Sequence, residues 1–337
     1  MGLRTLVWNA DERRPRAAWR VGLILVVTAL VLAGVAVVTF VVEAAHGVLA
    51  PLVGDSTATV LTRVLATSLV GGAVSLAVLA VGRYVDRRRL ADFGFHLDRE
   101  WWVDLGFGLA LGAALMSLVF AVELAAGWVR VTGLFSPRAG FLGRFLALVA
   151  IFVVVGVYEE LLVRGYLLTN AAEGLRHLGD RTAVVAAVVL SSAAFGLAHA
   201  NNPNATLVSS LAVSTAGVML AAGYVLTDDL AVPIGVHTTW NLFQGGVYGF
   251  PVSGATTVVA VVAVEQRGPA VFTGGQFGPE AGLLGVGAVL LGTVAVAAWV
   301  RLRTGRLRLH PGVVTPALRW RDRDDADADA PPTPATD

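Results

Sequence analysis

The 337-residue sequence contains no cysteine and no lysine, and only 15% of its residues are charged. The absence of cysteine excludes disulfide bonds, thiolate metal sites and a cysteine nucleophile. All basic residues are arginines, and the formal net charge is +1. Because no global basic field points to nucleic acid, we expect no nucleic-acid partner. Any chemistry must come from carboxylates, histidines and hydroxyls.

Hydrophobic residues make up 56% of the chain, and the mean hydropathy is +0.72. Soluble domains carry about a quarter charged residues, so this composition predicts an integral membrane protein in contact with the lipid bilayer. Apolar runs of about 17 to 25 residues, long enough to span a bilayer as helices, recur along the chain. They lie near residues 20–43, 58–82, 104–127, 141–158, 182–199, 207–226, 231–248 and 281–300. The predicted fold is an all-α, polytopic membrane helix bundle with about eight transmembrane helices.

The distribution of arginines predicts the orientation of this bundle. Arginines cluster before the first run and in the loops after the second, fourth and eighth runs, which favours the cytoplasmic side for all of these segments. The loop at 128–144 also contains three arginines and departs from the rule. We expect a multi-pass plasma membrane protein with both termini cytoplasmic, a membrane-embedded domain over residues 1–320 and a disordered, acidic, proline-rich tail over residues 321–337.

Charged residues interrupt the apolar stretch VVVGVYEELLVRGYLL, residues 153–168. A charge inside a membrane costs roughly 2.5–3.5 kcal/mol on insertion scales, so these side chains need a structural or functional reason. On a helix, Glu160 and Arg164 are four residues apart and face each other, which predicts an ion pair. Glu159 is rotated away by about 100° and remains free. A free carboxylate in a low-dielectric bundle has the profile of a general base.

Two further polar patterns lie in later apolar runs. In FGLAH, residues 195–199, the spacing places Phe195 beside His199, where the ring can fix the imidazole rotamer. In HTTWN, residues 237–241, the same spacing places His237 and Asn241 on one face of a helix. An asparagine there can donate a hydrogen bond to a developing oxyanion.

Each of these residues also has a simpler interpretation. A single intramembrane histidine or asparagine often forms a hydrogen bond between helices, and Glu159 can belong to a buried salt-bridge network with Arg164. Intramembrane acids and histidines also occur in proton relays, so a proton-coupled transporter or an inactive scaffold is the alternative function. The sequence shows no inverted repeat of the kind that transporters often have.

The sequence lacks the motifs of three known intramembrane protease chemistries: HExxH, GxSG and GxGD. The three patterns that it does contain, EExxxR, FxxxH and HxxxN in this order, resemble the CAAX prenyl protease and bacteriocin-processing (Abi) family of intramembrane proteases. The resemblance covers roughly residues 85–248. It implies a helical bundle with a water-filled cavity open to the cytoplasm, and endoproteolysis of a membrane-associated or peptide-precursor substrate. The family is best known for removing the last three residues of prenylated CAAX proteins.

The resemblance also implies roles for the residues of the three motifs. Glu159 would be the base that activates water together with His199, while His237 and Asn241 would stabilise the oxyanion. Glu160 and Arg164 would form a structural ion pair. Glu159, His199 and His237 could instead bind a catalytic zinc ion, which uses ligands of these types. We favour a site without a tightly bound metal.

Two features of the structure remain open at this point. The glycine- and proline-rich segment 249–280 is either an ordinary outer loop or a cap over a cavity. His199 lies near the far end of its helix, so it can approach Glu159 only if the helix that carries Glu159 continues past the glutamate pair or the second helix is tilted or begins deeper in the membrane.

Overall fold

The computed structural model describes residues 3–137 and 139–319, and this part of the chain is mostly helical. The predicted tail, 321–337, lies outside the described residues. In chain order the α-helices are α1 (Leu3–Val7), α2 (Ala17–Val53), α3 (Asp55–Tyr84), α4 (Arg99–Ala125), α5 (Phe141–Glu160), α6 (Thr169–Leu175), α7 (Asp180–Ala198), α8 (Leu207–Thr227), α9 (Ala231–Asn241), α10 (Ala270–Thr273) and α11 (Leu283–Thr304). The π-helical segments Leu161–Leu168 and Leu242–Val247 extend α5 and α9. The strands are β1 (Trp8–Asn9), β2 (Arg14–Pro15), β3 (Val129–Ser136) and β4 (Ala260–Gln266), paired antiparallel as β1–β2 and β3–β4.

Among the described residues, seven helical stretches are long and apolar enough to cross a membrane, judged by length and composition. They are Ala17–Val48, Thr57–Tyr84, Arg99–Ala125, Phe141–Leu178, Asp180–Ala198, Leu207–Thr227 and Leu283–Thr304. The prediction of an all-α, polytopic membrane bundle is confirmed. In the stretch Phe141–Leu178, α5 continues through the π segment and α6, so the helix runs on past the glutamate pair.

The seventh of the eight predicted spans, 231–248, is not among these stretches and corresponds to α9 and its π extension. These contain 11 and 6 residues, which together are fewer than the roughly 20 that a straight span needs. The side chains from Ala231 to Trp240 are all buried, so protein rather than lipid surrounds this helix. Its burial explains why it can be shorter than the outer helices.

Small residues allow α9 to pack closely against its neighbours. A Cβ atom added at Gly108 or Gly112 of α4 would overlap the carbonyl oxygens of Val232 and Val236 in α9. On α5, a Cβ at Gly156 would come within 2.5 Å of the Thr238 hydroxyl. Such glycines bring helix backbones into contact within membranes. They therefore set the position of the helix that carries the HTTWN motif.

Both ends of the described chain lie at the same end of the bundle. Glu173 of α6 accepts hydrogen bonds from Arg14 (Nη2–Oε2 2.9 Å), Arg20 (Nη1–Oε2 3.0 Å) and Arg88 (Nη2–Oε1 2.5 Å), and all four side chains are buried. From the C-terminal side, the amide of Arg319 donates to the carbonyl of Arg87 at 2.9 Å. This arrangement requires an even number of crossings, so the buried α9 and its extension must cross the bundle in addition to the seven helices of membrane-spanning length. The cytoplasmic location of the termini remains a prediction.

The opposite end of the bundle contains the β3–β4 ribbon and the segment that joins the α9 π extension to α11. The ribbon pairs Val129 with Gln266 and Ser136 with Ala260. β3 occupies residues 129–136 of the predicted loop at 128–144. The segment after α9 does not leave the bundle, because Thr257 donates a hydrogen bond to the carbonyl of Gly245 at 2.9 Å.

Candidate active site

The continuous helix made by α5, the π segment and α6 places the EELLVR motif deep inside the bundle. The Nη1 atom of Arg164 lies 2.9 Å from Oε1 of Glu160, and both side chains are fully buried. Arg164 also donates to the carbonyl oxygen of Gly217 in α8 at 3.1 Å. The guanidinium group therefore links Glu160 to a neighbouring helix, as expected of a charge that must be satisfied in a low-dielectric interior.

Glu160 has a second partner that the sequence did not predict. Its Oε1 atom lies 2.7 Å from Nδ1 of His237, which is also buried. An ionised carboxylate can only accept hydrogen bonds, so Nδ1 of His237 must carry the proton. This contact fixes the orientation of the imidazole and directs its Nε2 atom away from Glu160.

The neighbouring Glu159 is half-buried and has a different environment. The hydroxyl of Tyr158 donates to Oε1 of Glu159 at 2.9 Å. The other oxygen, Oε2, is buried and has no hydrogen-bond partner among the described residues. It lies 3.9 Å from Nε2 of His237. One oxygen of Glu159 is thus held in place, and the other lies beside the imidazole without a hydrogen-bond partner among the described residues.

The end of α7 brings the FGLAH motif to the same region. The ring of Phe195 lies 4.8 Å from the imidazole of His199 and 5.9 Å from that of His237, centroid to centroid. The guanidinium carbon of Arg164 lies 4.5 Å from the centre of the same ring. Nδ1 of His199 lies 2.8 Å from the carbonyl oxygen of Phe195, so Nδ1 donates and Nε2 is left as the ring nitrogen that can accept a hydrogen bond. Phe195 therefore packs among three of the functional side chains.

His199, His237 and Asn241 line one small pocket of about 50 Å³. Its remaining walls are largely apolar and include Trp240 and Phe195. Glu159 is not part of this lining, and the structure describes no contact between Glu159 and His199. Of the four predicted catalytic residues, three share the pocket, and Glu159 approaches it beside His237.

The segment 249–280 contributes two further side chains to the pocket, Ser253 and Glu280. The open choice between an outer loop and a cap is thereby answered in favour of a cap. This cap lies at the end of the bundle opposite to the described termini. If the termini are cytoplasmic, the cap faces away from the cytoplasm, which differs from the cytoplasmic opening that the family resemblance implies.

Glu280 is a functional candidate that the sequence analysis missed. It is 8% exposed, and its carboxyl group accepts hydrogen bonds from the amide of Ser253 (2.5 Å) and from the side chain of Gln244. Burial raises the pKa of Glu280 to about 7. The available signal was a lone acidic residue in the glycine-rich sequence FGPEAG, which by spacing alone resembles an ordinary loop.

The three residues considered as zinc ligands were Glu159, His199 and His237. Among the described residues, no group of three or more histidine, aspartate or glutamate side chains has an arrangement that could hold a metal ion. The Nδ1 atoms of both histidines are engaged by Glu160 and the Phe195 carbonyl oxygen, so only the Nε2 atoms could bind a metal. The side chains as placed do not fit a three-ligand zinc centre.

The fold and the buried polar residues define a multi-pass membrane protein with a Glu–His site inside its helix bundle. Residues 141–243 match the family model described as type II CAAX prenyl endopeptidase Rce1-like. This segment is about a third of the chain, and it contains all three motifs. The resemblance to the CAAX prenyl protease and bacteriocin-processing family is confirmed over this segment, which supports a peptidase in general. No curated protein and no solved structure matches the chain.

Proposed function

We propose that the protein is an intramembrane endopeptidase of the CAAX prenyl protease type in the plasma membrane. Its substrate would be a membrane-associated protein or a peptide precursor that approaches through the lipid bilayer. The main support is the buried, unpartnered Oε2 atom of Glu159, which lies 3.9 Å from Nε2 of His237. A carboxylate oxygen and an imidazole nitrogen in this position can both contact one water molecule beside the pocket.

In the proposed reaction, Glu159 accepts a proton from this water while the water oxygen bonds to the carbonyl carbon of the peptide. His199 lines the pocket, and its Nε2 would accept a second hydrogen bond from the same water. The C–N bond then breaks, and the proton taken up by Glu159 passes to the leaving amine. Positioned general-base catalysis of this kind contributes about 10²- to 10⁴-fold to the rate.

His237 and Asn241 would stabilise the oxyanion formed by the attack. Glu160 accepts a hydrogen bond from Nδ1 of His237. When His237 is protonated on both ring nitrogens, Nε2 can therefore donate a hydrogen bond to the oxyanion. The carboxamide of Asn241 lines the same pocket and can donate a second hydrogen bond. An oxyanion donor is worth about 10²- to 10³-fold in kcat.

Peptide cleavage by the purified full-length protein in lipid nanodiscs tests this proposal. The probes are internally quenched peptides with or without a farnesylated cysteine four residues from the C-terminus, and products are identified by mass spectrometry. We expect cleavage by the wild type and its loss in Glu159→Gln. The matched control is Glu265→Gln, which removes an exposed glutamate on β4 that pairs with Arg130 and Arg267.

Equal cleavage by wild type and Glu159→Gln would contradict the proposal, because the activity would then come from another group or a contaminant. Folded protein that cleaves none of the peptides would favour the transporter or scaffold alternative.

The role of a metal requires a separate measurement. We propose that the site works without a tightly bound metal. Elemental analysis of active protein, followed by assay in the presence of a chelator, is expected to show no stoichiometric zinc and no loss of activity. Zinc bound in proportion to activity would overturn this part of the proposal.

A further inference from the structure

The pocket is too small for a substrate in the described conformation. Its volume of about 50 Å³ holds only a few water molecules, since one water needs about 10–15 Å³ of such space. A peptide can therefore reach His237 only if part of the wall moves. Most of the wall belongs to packed helices, namely the end of α7, α8 and α9. The non-helical part is formed by Ser253 and by the turn at Glu280.

The residues 251–254, named here the lid turn, are held by hydrogen bonds on each side. The carbonyl oxygen of Pro251 accepts from Nε2 of Gln244 at 2.5 Å. The amide of Ser253 donates to Oε1 of Glu280 at 2.5 Å, and the amide of Gly254 donates to the carbonyl of Phe277 at 2.7 Å. The lid turn is thus fixed to the α9 extension and to the segment before α11.

Close backbone contacts show how tightly the lid turn is seated. Gly254 has a φ of +82°, and a Cβ there would overlap the carbonyl oxygen of Pro203 in the loop after His199. Gly278 has a φ of +126°, and a Cβ there would overlap the carbonyl oxygen of Pro251. Both positions combine a left-handed backbone with a close approach, so glycine is required.

Glu280 connects the elements around the lid turn through its two oxygens. Oε1 accepts a hydrogen bond from the amide of Ser253 in the lid turn, and Oε2 accepts one from the side chain of Gln244. Gln244 lies about one helical turn beyond Asn241. No cation is described in contact with this buried carboxyl group. Its partners are neutral donors, and each hydrogen bond can be given up without leaving a buried positive charge unpaired.

We propose that Glu280 is a positioning residue that holds the lid turn over the pocket and, through Gln244, fixes the helix turn that carries Asn241. Substrate is admitted when the lid turn leaves Glu280. This role rests on the proposed function, because it concerns the same pocket, although the position of the lid turn can be measured without any cleavage.

Cysteine alkylation can test this proposal, because the sequence contains no cysteine of its own. A single cysteine is introduced by Ala216→Cys in the pocket wall, and its alkylation by iodoacetamide is followed in the full-length protein in nanodiscs. In this background, Glu280→Gln replaces one acceptor oxygen by an NH₂ group that faces another donor. We expect alkylation to become about 10-fold faster, as loss of one charge-assisted hydrogen bond implies.

Glu123→Gln is the matched control. Glu123 is also buried and also accepts a hydrogen bond from a glutamine, Gln266, at 2.9 Å, but it does not line the pocket. We expect it to leave the alkylation rate unchanged. Equal rates in Glu280→Gln and in the parent would overturn the proposal, as would an equal increase in the control.

Kinetics with the cleaved peptide provide the second readout. We expect Glu280→Gln to lower kcat roughly 10-fold without raising KM, at a thermal midpoint no lower than that of Glu123→Gln. A fall in thermal midpoint with unchanged kcat would indicate a merely structural role. If the alkylation rates differ but the wild type cleaves no peptide, the lid assignment stands and the proposed function fails. If the wild type cleaves peptides but the alkylation rates are equal, the proposed function stands and the lid assignment fails.

Discussion

Replacing Glu159 and Glu160 by glutamine, one at a time, should separate catalysis from stability at adjacent positions. Glu160 is fully buried and is the ion-pair partner of Arg164. Its loss leaves a buried guanidinium group without a counter-charge, which costs about 3–5 kcal/mol of the free energy of unfolding. Glu159 has no cationic partner of this kind. Its glutamine variant can still accept the hydrogen bond from Tyr158, so the expected cost is below about 1 kcal/mol.

The expected effects on activity are ordered differently. Glu159→Gln removes the proposed base and should lower kcat by about 10²- to 10⁴-fold while the protein remains folded. Glu160→Gln should lower both the thermal midpoint and kcat, because a neutral amide replaces the carboxylate that orients His237 and offsets Arg164. The measurements are thermal unfolding of the full chain in nanodiscs and the rate of peptide cleavage at saturating substrate.

The double variant Glu160→Gln/Arg164→Met is the control for the ion pair. It removes both charges, so it should cost less stability than Glu160→Gln alone. A Glu159→Gln protein that is as unstable as Glu160→Gln, or that retains kcat within 10-fold of the wild type, would refute the division of roles between the two glutamates. A double variant that is less stable than Glu160→Gln would refute the assignment of the cost to the unpaired arginine.

Three further predictions concern the surroundings of the site. Tyr158→Phe should lower kcat roughly 10-fold in the cleavage assay with only a small fall in the thermal midpoint, because it frees one oxygen of the proposed base. Gly112→Ala should lower the free energy of unfolding by about 1–3 kcal/mol, since its Cβ overlaps the α9 backbone, whereas Gly106→Ala on the same helix meets no atom within 4 Å and should be neutral or slightly stabilising. The hydrogen bond with Asp229 raises the pKa of His96, so the folded protein binds that proton more tightly than the unfolded chain. Stability should therefore fall as the pH rises from about 6 to 8, and thermal unfolding of His96→Gln should show a smaller fall.

Each of these predictions has an outcome that contradicts it. A Tyr158→Phe protein with unchanged kcat would show that the hydroxyl does not position the base. Equal destabilisation by alanine at 106 and 112 would show that helix propensity, rather than the α4–α9 contact, determines the cost. If wild type and His96→Gln respond identically to pH, the His96–Asp229 pair does not contribute to the slope.

The local geometry of the site could be predicted from spacing within single helices. The i, i+4 relation placed Arg164 against Glu160 and Phe195 against His199, and both contacts are found. Such pairs depend only on the helical repeat, and the surrounding apolar runs already predicted that these segments are helices. The same reasoning left Glu159 without a cationic partner on its own helix.

Contacts between helices could not be predicted in this way. The hydrogen bond between His237 and Glu160 joins residues on different helices, and it depends on how far α9 is rotated about its axis. That rotation is set by backbone contacts at glycines such as Gly112 and Gly156, whose partners a single sequence does not reveal. The short length of α9 has the same origin, since the criterion of about 20 residues applies to helices that face lipid.

The contact between Glu160 and His237 changes the interpretation of the glutamate pair. From the sequence, Glu160 was expected only to neutralise Arg164. In the structure a single oxygen of Glu160 meets both Arg164 and His237, so one carboxylate offsets a buried cation and also orients an imidazole. This shared oxygen explains why two adjacent acids can be retained at this depth. Glu160 satisfies the positive charge of the site, and the charge of Glu159 then remains available to a water molecule beside Nε2 of His237.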